Sequence, residues 1–141
     1  TNDAPSAITR LTEMGVEPFV VASAVAAVIA QRLARKLCEH CREPYRPTLD
    51  ELEKIGLDAT VTQLWRPGTC GRCNRGYRGR VGIFQLLPMT ETIRRLVARD
   101  ATLDELADAA TAAGMRTLWA DGIDKVTAGL TTLEEIRRIL I

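Results

Sequence analysis

Aromatic side chains are scarce in this chain, with 2 Trp, 2 Tyr and 2 Phe among 141 residues, and histidine occurs once. The first scarcity speaks against a surface that stacks single-stranded nucleic acid, which relies on exposed rings. The second leaves His40 without a second imidazole for a metal pair. Excess charge of either sign is missing as well: 19 basic residues stand against 18 acidic ones, so the formal net charge of +1 gives no global attraction to nucleic acid or to an anionic membrane. There is no long hydrophobic run. The longest nearly apolar stretch, from Pro18 to Ala30, has 13 residues, whereas a membrane span needs about 20, so a buried helix is expected there and no membrane insertion. No G-x-x-x-x-G-K-S/T phosphate loop occurs, and no apolar strand ends in the acidic pair that would hold magnesium. Alone, the chain is therefore not expected to hydrolyse ATP. The opening Thr1-Asn2-Asp3-Ala4-Pro5 contains neither an initiator methionine nor a targeting signal, which leads to the expectation that the chain is part of something longer.

What is present begins with four cysteines in two spaced pairs, Cys38-Glu39-His40-Cys41 and Cys70-Gly71-Arg72-Cys73, separated by 28 residues. Each C-x-x-C turn aims two sulfurs at a common point, and two such turns brought together give the four-thiolate tetrahedron that zinc favours in structural sites. Two disulfides or a redox pair are the alternatives, the former requiring an oxidising compartment. Ligand number and spacing favour zinc held by Cys38, Cys41, Cys70 and Cys73. Four thiolates leave no open position for water, so the site reads as structural and not hydrolytic. His40, inside the first turn, reads as a surface imidazole, because four sulfurs already complete the set. Their formal cluster charge of about −2 requires neighbouring donors or cations. Arg35, Lys36, Arg42, Arg72, Arg75, Arg78 and Arg80 are placed in sequence to supply them, and Gly71 and Gly76 free the backbone to point N–H groups at sulfur. The same basic run, with Tyr77 inside it, permits a second reading: a free-standing zinc-ribbon module that binds nucleic acid.

Around the cysteines, hydrophobic residues at 46% and charged residues at 26% are those of a globular chain with a core, forming one compact domain or two small ones. Ser6 to Met14 is expected to be a short helix with Ile8, Leu11 and Met14 on one side and Gly15 as its left-handed stop. Pro18 suits a first helical turn, and the absence of a breaker from Phe19 to Leu37 predicts one long helix that delivers Cys38. Pro44-Tyr45-Arg46-Pro47 should be extended. Thr48-x-x-Glu51 predicts a capping box for a helix over Leu49 to Ile55, closed by Gly56. Gly76, Gly79 and Gly82 punctuate a turn before a short strand over 81–87. Helices are expected over Thr90 to Arg99, Thr102 to Ala113, Met115 to Ala128 and Thr131 to Ile141, with further capping boxes at Thr102-x-x-Glu105 and Thr132-x-x-Glu135. The fold class is α+β and mainly helical.

The order of these features resembles a known family. Ala7-Ile8-Thr9-Arg10-Leu11, then Met14-Gly15-Val16-Glu17-Pro18-Phe19, then Ala30-Gln31-Arg32-Leu33 leading into Cys38-x-x-Cys41, and Gly76-Tyr77-Arg78-Gly79-Arg80-Val81-Gly82-Ile83-Phe84 after Cys70-x-x-Cys73, are similar to the C-terminal portion of a GspE/PulE/PilB-type ATPase of type II secretion or type IV pilus assembly. The resemblance implies a cytoplasmic motor, a homo-hexameric ring docked on inner-membrane platform proteins, with ATP and magnesium bound elsewhere in the parent. It implies the C-terminal part of a RecA-like α/β domain with a zinc-binding excursion and a helical tail: 1–37 the helical end of the core, 38–84 the tetracysteine subdomain with return strand 81–87, and 88–141 a helical subdomain. Thr1 and Asn2 match the end of the family's histidine box. Gln31 and Arg32 match a motif at the end of the long helix, and Arg78 and Arg80 match arginines after the second knuckle. The four cysteines resemble the assembly and secretion branch, since the pilus-retraction branch typically lacks them.

Overall fold

A computed structural model describes residues 2–141, so Thr1 lies outside the described residues. The elements run α1 (Ala4–Glu13), α2 (Pro18–Ala24), β1 (Ala27–Leu37), β2 (Glu43–Tyr45), α3 (Leu49–Lys54), β3 (Leu64–Arg66), β4 (Tyr77–Pro88), α4 (Glu91–Ala98), α5 (Leu103–Ala112), α6 (Leu118–Thr127) and α7 (Leu133–Leu140). Helix and sheet are mixed, in keeping with the α+β expectation. Strand β1 pairs with β4, and β2 pairs with β3. Among the described residues no helix is long and apolar enough to cross a membrane.

Two compact units divide the chain. The first combines residues up to Gln31 with Phe84–Leu118, and the second combines Arg32–Ile83 with Trp119–Ile141. Each is assembled from two stretches distant in sequence.

In the first unit, Asp3 and Ser6 form a reciprocal cap at the start of α1: Ser6 N–H donates to Asp3 Oδ1 at 2.8 Å and Asp3 N–H to Ser6 Oγ at 3.3 Å. Ile8, Val21, Ala22, Leu87, Met89, Ile93, Val97, Leu106 and Ala110 are buried together, so α1, α2, α4 and α5 share one core with the end of β4. Buried Gln85 fixes the beginning of α1 by accepting from Ala4 N–H at 2.8 Å. Met14 is 69% exposed and does not join Ile8 and Leu11 on the packed side. Gly15, at φ +90°, takes the left-handed conformation expected of it.

The long helix expected over Phe19 to Leu37 does not form. Helix α2 ends at Ala24, Val25 is extended (φ −80°, ψ 125°), and β1 carries the chain to Leu37. The reason is tertiary. Val25, Val28 and Ile29 are β-branched and stiff at χ1, and along β1 burial alternates residue by residue through Ala34, as a strand with one covered face requires. Strand β1 hydrogen-bonds to β4 in a two-stranded sheet, and that pairing overrides the helical preference of Ala, Gln, Arg, Leu and Lys in the same stretch. Gln31 and Arg32 are therefore strand residues. On the partner side, β4 begins at Tyr77, earlier than the 81–87 expected, so Gly79 and Gly82 lie inside a strand and not in a turn.

In the second unit, β2 and β3 are antiparallel, with Glu43 opposite Arg66, Pro44 opposite Trp65 and Tyr45 opposite Leu64. Helix α3 fills the connection and has the complete capping box between Thr48 and Glu51. Leu52, Ile55 and Leu64 are buried there. Between α6 and α7 the chain adds to β1: Leu37 N–H donates to Leu130 C=O at 2.8 Å and the Thr131 hydroxyl to Arg35 C=O at 2.9 Å. Helices α6 and α7 approach at Gly122, where a Cβ would stand 2.9 Å from the Ile136 side chain. The helices expected over Thr90 to Arg99, Thr102 to Ala113 and Thr131 to Ile141 are found with trimmed ends. The one expected from Met115 begins only at Leu118.

The capping box expected of Thr132 and Glu135 is half formed. Thr132 Oγ1 accepts from Glu135 N–H at 3.3 Å, but the Glu135 carboxylate does not return to the cap. It is held instead by Arg35, through its backbone N–H at 3.0 Å, Nε at 2.8 Å and Nη2, and by Arg138, through Nε at 2.9 Å and Nη2 at 2.8 Å. Arg35 also lies over the Tyr77 ring, 4.3 Å from its centroid, and the Tyr77 hydroxyl meets Thr132 Oγ1 at 2.9 Å. The start of β4, the end of β1 and the start of α7 thus meet at one buried carboxylate.

Candidate metal centre

Cys38 directly follows β1, and the next turn closes when the N–H groups of Cys41 and Arg42 donate to its carbonyl at 3.3 and 2.9 Å. After Cys70 and Cys73 the chain reverses tightly: Asn74 and Tyr77 exchange both backbone hydrogen bonds at 3.0 Å around Arg75 (φ 52°) and Gly76 (φ 85°). Positive φ at both central residues is the geometry of a type I′ turn, and Gly76 adopts it without Cβ strain. The two cysteine turns then touch through backbone, with Cys38 N–H donating to Gly76 C=O at 2.8 Å. Glycine is required at this approach. A Cβ on Gly68 would sit 1.8 Å from the Cys41 carbonyl oxygen, and one on Gly76 would sit 2.3 Å from the Pro67 Cβ.

This packing brings the four sulfurs of Cys38, Cys41, Cys70 and Cys73 within 4.8 Å of one another. Cys38 and Cys70 are 3.8 Å apart, Cys41 and Cys73 3.6 Å, and Cys70 and Cys73 3.5 Å. A tetrahedron with zinc–sulfur bonds of about 2.3 Å has edges of roughly 3.8 Å, whereas a disulfide would need about 2.05 Å. All four cysteines are free thiols. The set can therefore hold a metal ion, and its spacing is that of ligands and not of oxidised pairs. His40 is exposed and stands outside the four-sulfur group.

The thiols are electrostatically unequal. Burial pushes the Cys41 thiol up, helped by the neighbouring cysteine sulfurs, to about 12. Burial opposes ionisation of Cys73 too, yet hydrogen bonding from Cys70, the Gly76 backbone N–H and Cys41 outweighs it and brings that thiol down to about 7. Ionisation of Cys73 therefore holds the proton on Cys41. Four thiolates this close need a cation among them.

The seven basic residues do not act as a single counter-charge. Arg35 is committed to Glu135, and Lys36 pairs with Glu39 at 2.7 Å. Arg42 donates to the Gly129 carbonyl and stacks over Trp65 at 4.2 Å from the ring centroid. Arg72, Arg75, Arg78 and Arg80 are exposed. The backbone N–H of Gly76 is among the groups that lower the Cys73 thiol. Sequence reasoning missed Gly68, although Pro67-Gly68 is a readable turn signal. It also missed the Arg42, Trp65 and Gly129 contact and the Arg35 and Glu135 pair, whose partners are 87 and 100 residues apart and carry no local signal.

The family described as "Type II/IV secretion system protein" matches residues 1–138. The chain is 46% identical over 140 residues to the type II secretion system protein HxcR of Pseudomonas aeruginosa, covering 99% of this chain and 26% of that protein. It is 43% identical over 141 residues to the type II secretion system protein E of Dickeya dadantii, covering 99% and 28%. With the type IV pilus assembly ATPase PilB of Thermus thermophilus the identity is 42% over 140 residues, covering 96% and 16%. The chain thus spans between about a sixth and just over a quarter of the length of these relatives.

Proposed function

The chain belongs to the type II/IV secretion system protein family, and from that premise we propose that it is the zinc-bearing C-terminal portion of an ATPase that powers type II secretion or type IV pilus assembly. The carrying observation is the group of four sulfurs at tetrahedral spacing in a chain without a phosphate loop. Cys38, Cys41, Cys70 and Cys73 hold one structural zinc, and the ion's role is to tie the two cysteine turns together. No residue of the site is catalytic. ATP and magnesium belong to the parent protein.

In this reading, 1–37 closes a RecA-like core, helical as far as Ala24 and a strand beyond it, 38–84 is the zinc-bearing excursion, and 88–141 is a helical interaction surface. The parent is a cytoplasmic homo-hexamer attached to the inner membrane through platform proteins. Relatives named as a type IV pilus assembly ATPase and as type II secretion proteins, each matched over nearly the whole chain, support both branches equally.

The 141-residue chain is expected to show ATP hydrolysis at background and no binding to labelled DNA or RNA at either low or physiological salt. Cys70→Ser in the parent is expected to reduce secretion or pilus output. Hydrolysis by the chain alone would overturn the assignment. Nucleic-acid affinity falling steeply with salt would instead favour the free-standing zinc-ribbon reading.

A further inference from the structure

Three of the four Tyr and Trp side chains line one cleft in the unit that carries the cysteines. Tyr45, Trp65 and Tyr77 face it with Pro67, and Glu51, Glu134 and Arg66 complete the lining. All three rings are half-buried. Two of them already receive a guanidinium: Arg42 lies over Trp65 at 4.2 Å and Arg35 over Tyr77 at 4.3 Å. Neither arginine lines the cleft, so the surfaces turned into it are available for a second contact.

The charges in the cleft point the same way. Arg66 is neutralised by Glu43, Nε to Oε2 at 3.1 Å, and Arg35 by Glu135. Glu51 gives Oε2 to the Thr48 cap and leaves Oε1 uncommitted. Glu134 is exposed in the first turn of α7 and has no ion pair among the described residues. Burial, followed by the negative charge of Glu51 and Glu134, pushes the Tyr45 hydroxyl up, in keeping with a net-negative cleft.

We propose that this cleft is a docking site for an arginine side chain presented by a segment of a partner protein. A planar guanidinium can stack on an aromatic face while donating to a carboxylate, a combination that a lysine ammonium does not reproduce. Both Trp65 and Tyr77 already carry a stacked guanidinium within the chain, and the one over Tyr77 also donates to a carboxylate, that of Glu135. The proposal rests on the cleft alone and is independent of the ion held by the cysteines.

The test is a titration of the 15N-labelled 141-residue chain, followed at the Trp65 indole N–H signal. The probes are acetyl-Gly-Arg-Gly-amide and its Lys, Glu and Gly counterparts. A saturable shift with the arginine peptide is expected, weaker with lysine and absent with glutamate and glycine. Glu134→Gln, which removes an unpaired surface charge, should weaken arginine binding about fivefold with metal content unchanged. No saturable shift, equal response to the lysine or glutamate peptide, or unchanged affinity in Glu134→Gln would overturn the proposal.

Discussion

Replacing Cys70 with serine is expected to abolish stoichiometric zinc binding and to release the segment between the two cysteine turns from its fold. Structural zinc contributes about 10–16 kcal/mol of apparent binding energy in small modules, which exceeds the total stability of many domains. In this chain the two turns meet through few backbone contacts, chiefly Cys38 N–H to Gly76 C=O at 2.8 Å. Helix α3 and the three-residue strands β2 and β3 between them are short. They bury only Leu52, Ile55 and Leu64 as large apolar side chains, too little to hold the segment without the ion. The first unit has its own core, which contains no cysteine. Amide exchange should therefore accelerate in 38–76 of Cys70→Ser while α1, α2, α4 and α5 stay protected, and elemental analysis should fall from one zinc per chain to a trace. Full metal occupancy in that variant would contradict the assignment.

The second large effect is set by Glu135. Its carboxylate is 1% exposed. Burial alone would raise its pKa, but hydrogen bonds from Arg138 and Arg35 outweigh that penalty and hold the group at about 2, against an ordinary 4.5. A carboxylate whose pKa is lower folded than unfolded stabilises the fold fully above the unfolded value and loses that contribution as pH falls toward the folded one. The stabilisation from this group is on the order of 3 kcal/mol above about pH 5, and it disappears between about pH 5 and 2. Glu135→Gln should accordingly be less stable than the parent chain by that order at neutral pH, with the gap closing in acid. Release of the proposed zinc in acid would be common to both proteins, so the difference between their denaturant midpoints at each pH isolates the carboxylate. A gap that persists unchanged at low pH would show that the loss is one of packing and not of charge.

Local chemistry was legible in the sequence, and partnership was not. The Thr48 and Thr102 caps were readable because each involves residues three apart. The paired cysteines were readable because their spacing is itself the signature of a ligand set. The stretch from Val25 to Leu37 was misread because helix and strand preferences are nearly balanced there, and the decision belongs to β4, some 50 residues further along. Thr132-x-x-Glu135 looked like a capping box because its local pattern is complete. Arg35, 100 residues away in sequence, takes the carboxylate that the pattern had assigned to the helix cap. Sequence proximity also overstated the counter-charge around the cysteines, since Arg35 and Arg42 lie close along the chain yet spend their guanidinium groups on Glu135, Tyr77, Trp65 and Gly129.

The central claim is that four sulfurs from two turns share one ion, and zinc K-edge X-ray absorption of the purified chain tests it most directly. The account predicts one zinc per chain with a first shell of four sulfurs at about 2.3 Å and no nitrogen. A shell containing imidazole nitrogen or water oxygen, or a purified chain with no bound metal and sulfur–sulfur bonds in its place, would contradict it.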